Sequence, residues 1–128
     1  MKEEVQVKTI KKTFTDKIQA GIVWFRFISG INDISLTNRE LQLLSFINLR
    51  GTISSLQAKE EFCKMFETST GTVSNMTAKL LKQKILTKEK SKIKVSPFLR
   101  MDLDKDCVVR LFINIEDTDK NQADGNRN

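Results

Sequence analysis

Eight cations fall between residues 75 and 100, namely Lys79, Lys82, Lys84, Lys88, Lys90, Lys92, Lys94 and Arg100, against the single acid Glu89. That stretch carries +7 in a chain whose total is +6, so the remaining residues are nearly neutral. Ammonium groups crowded this way do electrostatic chemistry: they attract a polyanion and release its counterions, without making or breaking bonds. Residues for covalent or metal chemistry are scarce. The chain has no histidine, which removes the commonest general base. Its two cysteines, Cys63 and Cys107, lie far apart and form no C-x-x-C pair, so a tetrahedral zinc site lacks ligands and both read as reduced thiols. The five glycines, Gly21, Gly30, Gly51, Gly71 and Gly125, are scattered like punctuation and form neither a phosphate loop nor a nucleophile elbow. The acids Asp102, Asp104, Asp106, Glu116, Asp117 and Asp119 lack EF-hand spacing and read as solubility. The expectation is therefore no enzyme, no metal, no cofactor and no small-molecule ligand.

The elements that must carry the basic stretch follow from periodicity. With 128 residues, 39% hydrophobic and 30% charged, the chain is expected to be one soluble domain with a real core. No apolar stretch approaches the roughly 20 residues of a membrane span, and Met1-Lys2-Glu3-Glu4 does not open a signal peptide. A cytoplasmic location, in a bacterial or phage-infected cell, is the matching expectation. Residues 5–14 alternate imperfectly and suggest a strand. Asp16, with Gln19 three residues on, opens a helix to Ile28 that is apolar all round. Ile18, Ile22, Phe25 and Ile28 form one face, while Val23, Trp24 and Phe27 form a candidate oligomer or partner interface.

Thr37-Asn38-Arg39-Glu40 is a capping box for a helix ending near Gly51, and Ser54 with Gln57 suggests another for a helix ending near Phe66. A polar turn leads to a helix over about 71–84 whose apolar stripe is Val73, Met76, Leu80 and Leu81. Residues 85–96 read as strand, turn, strand, stopped by Pro97. Cys107 to Ile115 reads as a final strand, and 116–128 as a disordered tail.

Three helices followed by a basic hairpin resemble the winged helix-turn-helix family over about residues 36–98. The resemblance rests on Leu36 to Leu44 as a first helix and on Phe62-Cys63-Lys64-Met65-Phe66 through Thr70-Gly71-Thr72-Val73-Ser74 as the helix-turn-helix joint. Met76 through Leu86 is similar to a recognition helix entering a wing at Thr87 to Lys94. In layout the chain is also similar to small winged-helix proteins of tailed bacteriophages. The resemblance implies a winged core at 36–98 within an α+β fold; outside that core, 1–35 reads from its own pattern as an added N-terminal strand and helix for packing or oligomerisation. A C-terminal strand within 99–115 would complete the sheet.

On a helical wheel the face opposite Val73 presents Thr72, Asn75, Ala78, Lys79 and Lys82. Asparagine can pair with adenine and lysine with guanine in the major groove of double-stranded DNA, so Thr72, Asn75, Lys79 and Lys82 are the candidate base readers. Thr70 and Ser74 at the helix start, with Lys88, Lys90, Lys92 and Lys94 on the hairpin, are the candidate phosphate contacts. Such a chain would be a small transcriptional regulator, with a homodimer among its expected forms. The alternative is a structural or adaptor protein of a larger protein assembly, such as a phage virion component, that uses the same fold for protein contacts.

Overall fold

Each helix begins at a side chain that satisfies a backbone N–H its first turn leaves free. In the computed structural model, which describes residues 4–116, Asp16 caps α1 (Lys17–Ile31), Thr37 caps α2 (Asn38–Arg50), Ser55 caps α3 (Leu56–Phe66) and Ser69 caps α4 (Thr70–Lys82). The Thr37 box is complete: its hydroxyl accepts from Glu40 N at 3.1 Å, and Glu40 Oε1 accepts from Thr37 N at 2.9 Å. Ser54 does not cap α3; its hydroxyl instead accepts from Ile93 N of the hairpin at 2.6 Å, leaving Ser55 to receive Ala58 N. α2 stops at Gly51, whose φ of 104° lies in the left-handed region where a Cβ is strained.

The architecture is α+β: among the described residues, four helices and one antiparallel hairpin of β1 (Leu86–Glu89) and β2 (Lys92–Val95). Leu86 faces Val95 and Glu89 faces Lys92, so only Lys90 and Ser91 form the loop. Inward positions Leu86 and Val95 are buried with Leu43, Leu44, Ile47, Phe62, Val73 and Leu80. Burying each such side chain contributes about 1.5–3 kcal/mol. Ile53, between α2 and α3, is also fully buried and donates its N–H to Ile93 O at 3.2 Å. Together with the Ser54–Ile93 hydrogen bond, it ties the hairpin to the segment between α2 and α3.

α1 packs chiefly on α2 through Ile22 and Phe25. The two helices approach closely at Gly21, where a Cβ would lie 2.2 Å from Ser45 Oγ. Ser45 is fully buried and its hydroxyl donates to Ile18 O at 2.6 Å, so this glycine makes room for an interhelical hydrogen bond. Trp24 is held within the chain as well: its indole Nε1 donates to Leu99 O at 2.8 Å. Asn48 fixes the segment after the hairpin, donating to Met101 O at 2.8 Å and accepting from Met101 N at 2.9 Å.

Two expected strands are not formed. Residues 5–14 and 107–115 carry neither helix nor strand, and Val5, Val7, Ile10, Val108, Phe112 and Ile113 are exposed. Alternation can prepare a segment to pair, but a strand needs neighbouring N–H and C=O groups, and within the described chain none meets them. The sheet is accordingly the hairpin alone, and the expected C-terminal completion is corrected. Residues 117–128 of the expected tail lie outside the described residues.

The crowding at Gly21 has a direct consequence. Gly21→Ala lowers unfolding free energy by about 1–3 kcal/mol in urea titration, because neither Ser45 nor the helix backbone can give way freely. At Gly30 nothing stands within 4 Å of an added Cβ. Gly30→Ala is therefore neutral or stabilising by up to about 1 kcal/mol in the same titration.

Candidate nucleic-acid interface

The outer side of α4 is set by what its inner side buries. Val73, Thr77 and Leu80 face the core, with Met76 and Leu81 half-buried. Thr77 was not part of the expected stripe; its hydroxyl donates to Val73 O one turn back at 2.7 Å and so enters the core satisfied. With that face inward, Thr72, Ser74, Asn75, Ala78, Lys79 and Lys82 are exposed. At the start of the helix, Ser69 Oγ receives Thr72 N at 3.1 Å and lies 2.9 Å from Thr72 Oγ1. Lys59 reaches over from α3 to within 3.4 Å of Ser74 Oγ, adding a cation beside Ser74. Thr70 is the first residue of the helix and is exposed.

Lys79 is engaged differently. Its Nζ donates to Glu40 Oε2 at 2.7 Å, and the Glu40 side chain is 4% exposed. Burial pushes the Glu40 carboxyl up. The hydrogen bond and charge of Lys79, together with the Thr37 donors, outweigh that and leave it below its ordinary value. The charge of Lys79 is thus met by a buried carboxylate, although its side chain remains half exposed. Sequence reasoning missed this pair because Glu40 and Lys79 stand 39 residues apart, although Glu40 was already marked by its capping box.

The hairpin lysines do not share one face. Alternation puts Lys88 on the side of Leu86 and Ile93, Lys92 and Lys94 on the other side, and Lys90 at the tip. Lys94 lies 3.9 Å from Glu89, and Arg100 pairs with the same carboxylate while its Nε donates to Val95 O at 2.6 Å. Arg100, left without a role by the sequence, therefore braces the base of the hairpin. Among the described residues Lys82, Lys84, Lys88, Lys90 and Lys92 have no acidic partner within 4.0 Å. All five are exposed.

The loop that carries Lys90 breaks a local rule. Lys90 and Ser91 both have positive φ, 51° and 71°, in a two-residue connection where Asn-Gly is the favoured sequence. Lys84, at the junction of α4 and β1, also has a positive φ of 64°. Each non-glycine residue held there costs on the order of 1 kcal/mol.

Of the candidate partner residues on α1, Val23 and Phe27 are exposed, while Trp24 is half-buried beside Phe27. Among the described residues no group of three or more His, Cys, Asp or Glu could hold a metal ion, and no helix is long and apolar enough to cross a membrane. Comparison with known proteins finds no matching family model, no matching curated protein and no matching solved structure.

The Glu40–Lys79 pair makes two measurable statements. Lys79→Ala, which leaves a buried carboxylate with one partner fewer, lowers unfolding free energy by about 1–3 kcal/mol. Lys82→Ala, three residues on, changes it by less than about 0.5 kcal/mol. A carboxyl whose folded pKa is depressed adds stability that is complete above the unfolded value and is lost as pH falls through the folded one. Wild-type protein therefore loses stability more steeply than Glu40→Gln as pH falls through and below the ordinary carboxylate range, as followed by urea midpoints at each pH.

Proposed function

We propose that this chain binds double-stranded DNA in the manner of a winged helix, with α4 in the major groove and the hairpin on the flanking backbone. The observation that supports this reading is the continuity of unpaired cations from the end of α4 onto the hairpin. Lys82, Lys84, Lys88, Lys90 and Lys92 join an exposed helix face of Thr72, Asn75 and Ala78. Small Ala78 permits close approach to base edges, Asn75 offers a bidentate pair to adenine and Lys82 a donor to guanine. Thr70, Thr72 and Ser74 surround the free N–H groups of the first turn, with Lys59 beside them, as a phosphate contact requires.

Lys79 takes a positioning role in this proposal, fixing α4 on α2, and leaves base reading to its neighbours. The strained Lys90-Ser91 tip supports the same view of the hairpin. A loop optimised only for stability would place asparagine and glycine there, and this one projects an ammonium group. A small regulator of transcription is the biological role that fits. The second reading, a component of a larger protein assembly, is favoured by the exposed apolar residues of α1 and of both terminal segments.

Gel shift on duplexes selected from a random pool separates the two. Five engaged lysines give a slope of log K against log salt of about −4 to −5. Asn75→Ala and Lys82→Ala reduce discrimination between selected and scrambled duplexes by about 1–3 kcal/mol, whereas Lys88→Ala, Lys90→Ala and Lys92→Ala weaken both duplexes alike. Absence of duplex binding at low salt, or indifference to all five substitutions, overturns the proposal in favour of an assembly role.

A further inference from the structure

Glu89 is the single acid between residues 75 and 100, and it does not stand apart from the cations around it. Its carboxylate oxygens meet two of them: Oε1 lies 3.9 Å from Lys94 Nζ, and Oε2 accepts from Arg100. Among the described residues no other carboxylate contacts two cations. Lys92, opposite Glu89 across the last rung of the hairpin, shares its outer face, as Lys94 does. Glu89 thus stands amid three cations. The cluster is open to a ligand, with the side chains of Glu89, Lys94 and Arg100 35%, 36% and 39% exposed.

Arg100 is the best prepared of the three. Its neighbours on both sides are anchored: Leu99 is buried and its carbonyl accepts the Trp24 indole, and Met101 is held through both backbone groups by Asn48. The guanidinium itself is fixed at one corner, where Nε donates to Val95 O at 2.6 Å. Its terminal nitrogen is left to meet Glu89. Guanidinium donors bind carboxylate and phosphate oxygens by the same geometry, and a side chain already held loses little freedom on binding. A carboxylate at that corner therefore stands where phosphate oxygens would.

We propose that Arg100 and Lys94 form a further phosphate site on the outer face of the hairpin, and that Glu89 occupies it as an internal competitor. The proposal rests on the DNA-binding reading and adds a limit to it. Glu89 belongs to the same hairpin, so its effective concentration at Arg100 is high and does not fall on dilution. A backbone phosphate must displace it and leave a carboxylate without its partners beside a polyanion. In the wild type the two cations are withheld, and phosphate contacts fall to lysines that have no acidic partner. Glu89 thus lowers affinity for every duplex alike, without touching the bases that α4 reads.

The test follows the fluorescence anisotropy of a labelled mixed-sequence duplex with the full chain over a series of salt concentrations. Glu89→Gln keeps the shape of the side chain, removes its charge and frees both cations. It tightens binding about tenfold at about 0.1 M salt and steepens the slope of log K against log salt by about 2, close to 0.9 for each added phosphate. Its helical circular dichroism matches wild type, since half-exposed ion pairs contribute little and Arg100 keeps its bond to Val95. Adding Arg100→Gln and Lys94→Gln to Glu89→Gln returns the slope to that of wild type, although the net charge is then one lower. If Glu89 only braces the hairpin, Glu89→Gln weakens binding or leaves it unchanged, and the proposal is overturned. A triple variant with a shallower slope than wild type also overturns it, because the two cations then contact phosphate already. Absence of duplex binding by wild type and Glu89→Gln alike overturns the DNA reading itself, and this proposal with it.

Discussion

A buried carboxylate on α2 orders much of this molecule. Glu40 is 3% exposed, and a charge taken out of water to that degree is tolerated only when its oxygens are fully engaged. Oε1 closes the capping box on Thr37 and Oε2 holds Lys79. One side chain therefore both starts α2 and ties α4 to it. The consequence reaches the outer surface. Asn75, Lys79 and Lys82 follow helical spacing, so Lys79 stands between the two groups best suited to read bases, and its charge is already met. The net positive field is displaced from the middle of α4 toward its C-terminal end and the hairpin; in the proposed DNA complex, charge there would position a duplex more than distinguish one sequence from another.

The hairpin in turn is more firmly held than two strands of four residues would be alone. Ile53 N–H and the Ser54 hydroxyl pair with Ile93 from the helical side, while Arg100 bonds Val95 and Glu89 from the other. Such bracing is what permits two consecutive non-glycine residues at positive φ at the tip. Strain of that kind persists only where surrounding structure over-determines the backbone. Ser54 and Arg100 are surface-type residues by composition, yet they fix the angle at which Lys88, Lys90 and Lys92 are presented.

Local chemistry was legible in the sequence and distant pairing was not. The Thr37 box, the Gly51 stop, the helix after the polar turn and the hairpin each depend on residues a few positions apart, and each forms close to the expected limits. Glu40–Lys79 and Gly21–Ser45 depend on which helices cross, which no local pattern encodes. Thr77, absent from the apolar stripe expected for α4, can enter the core because its hydroxyl bonds the preceding turn. The misread strands are most instructive. Alternation at 107–115 marks a segment that could pair, but it carries no information on whether a partner strand stands beside it, and among the described residues none does. The exposed face of α4 follows directly from its wheel; the role of Lys79 within it does not.

The two candidate surfaces respond to solution conditions in opposite directions. Contacts between lysines and phosphates weaken as salt rises, through counterion release. Apolar contacts through the exposed terminal segments, on which the assembly reading rests, would be insensitive to moderate salt and strengthened by strongly hydrated salts. The two therefore need not compete: rising salt separates an anionic partner of the lysines from an apolar partner of the terminal segments.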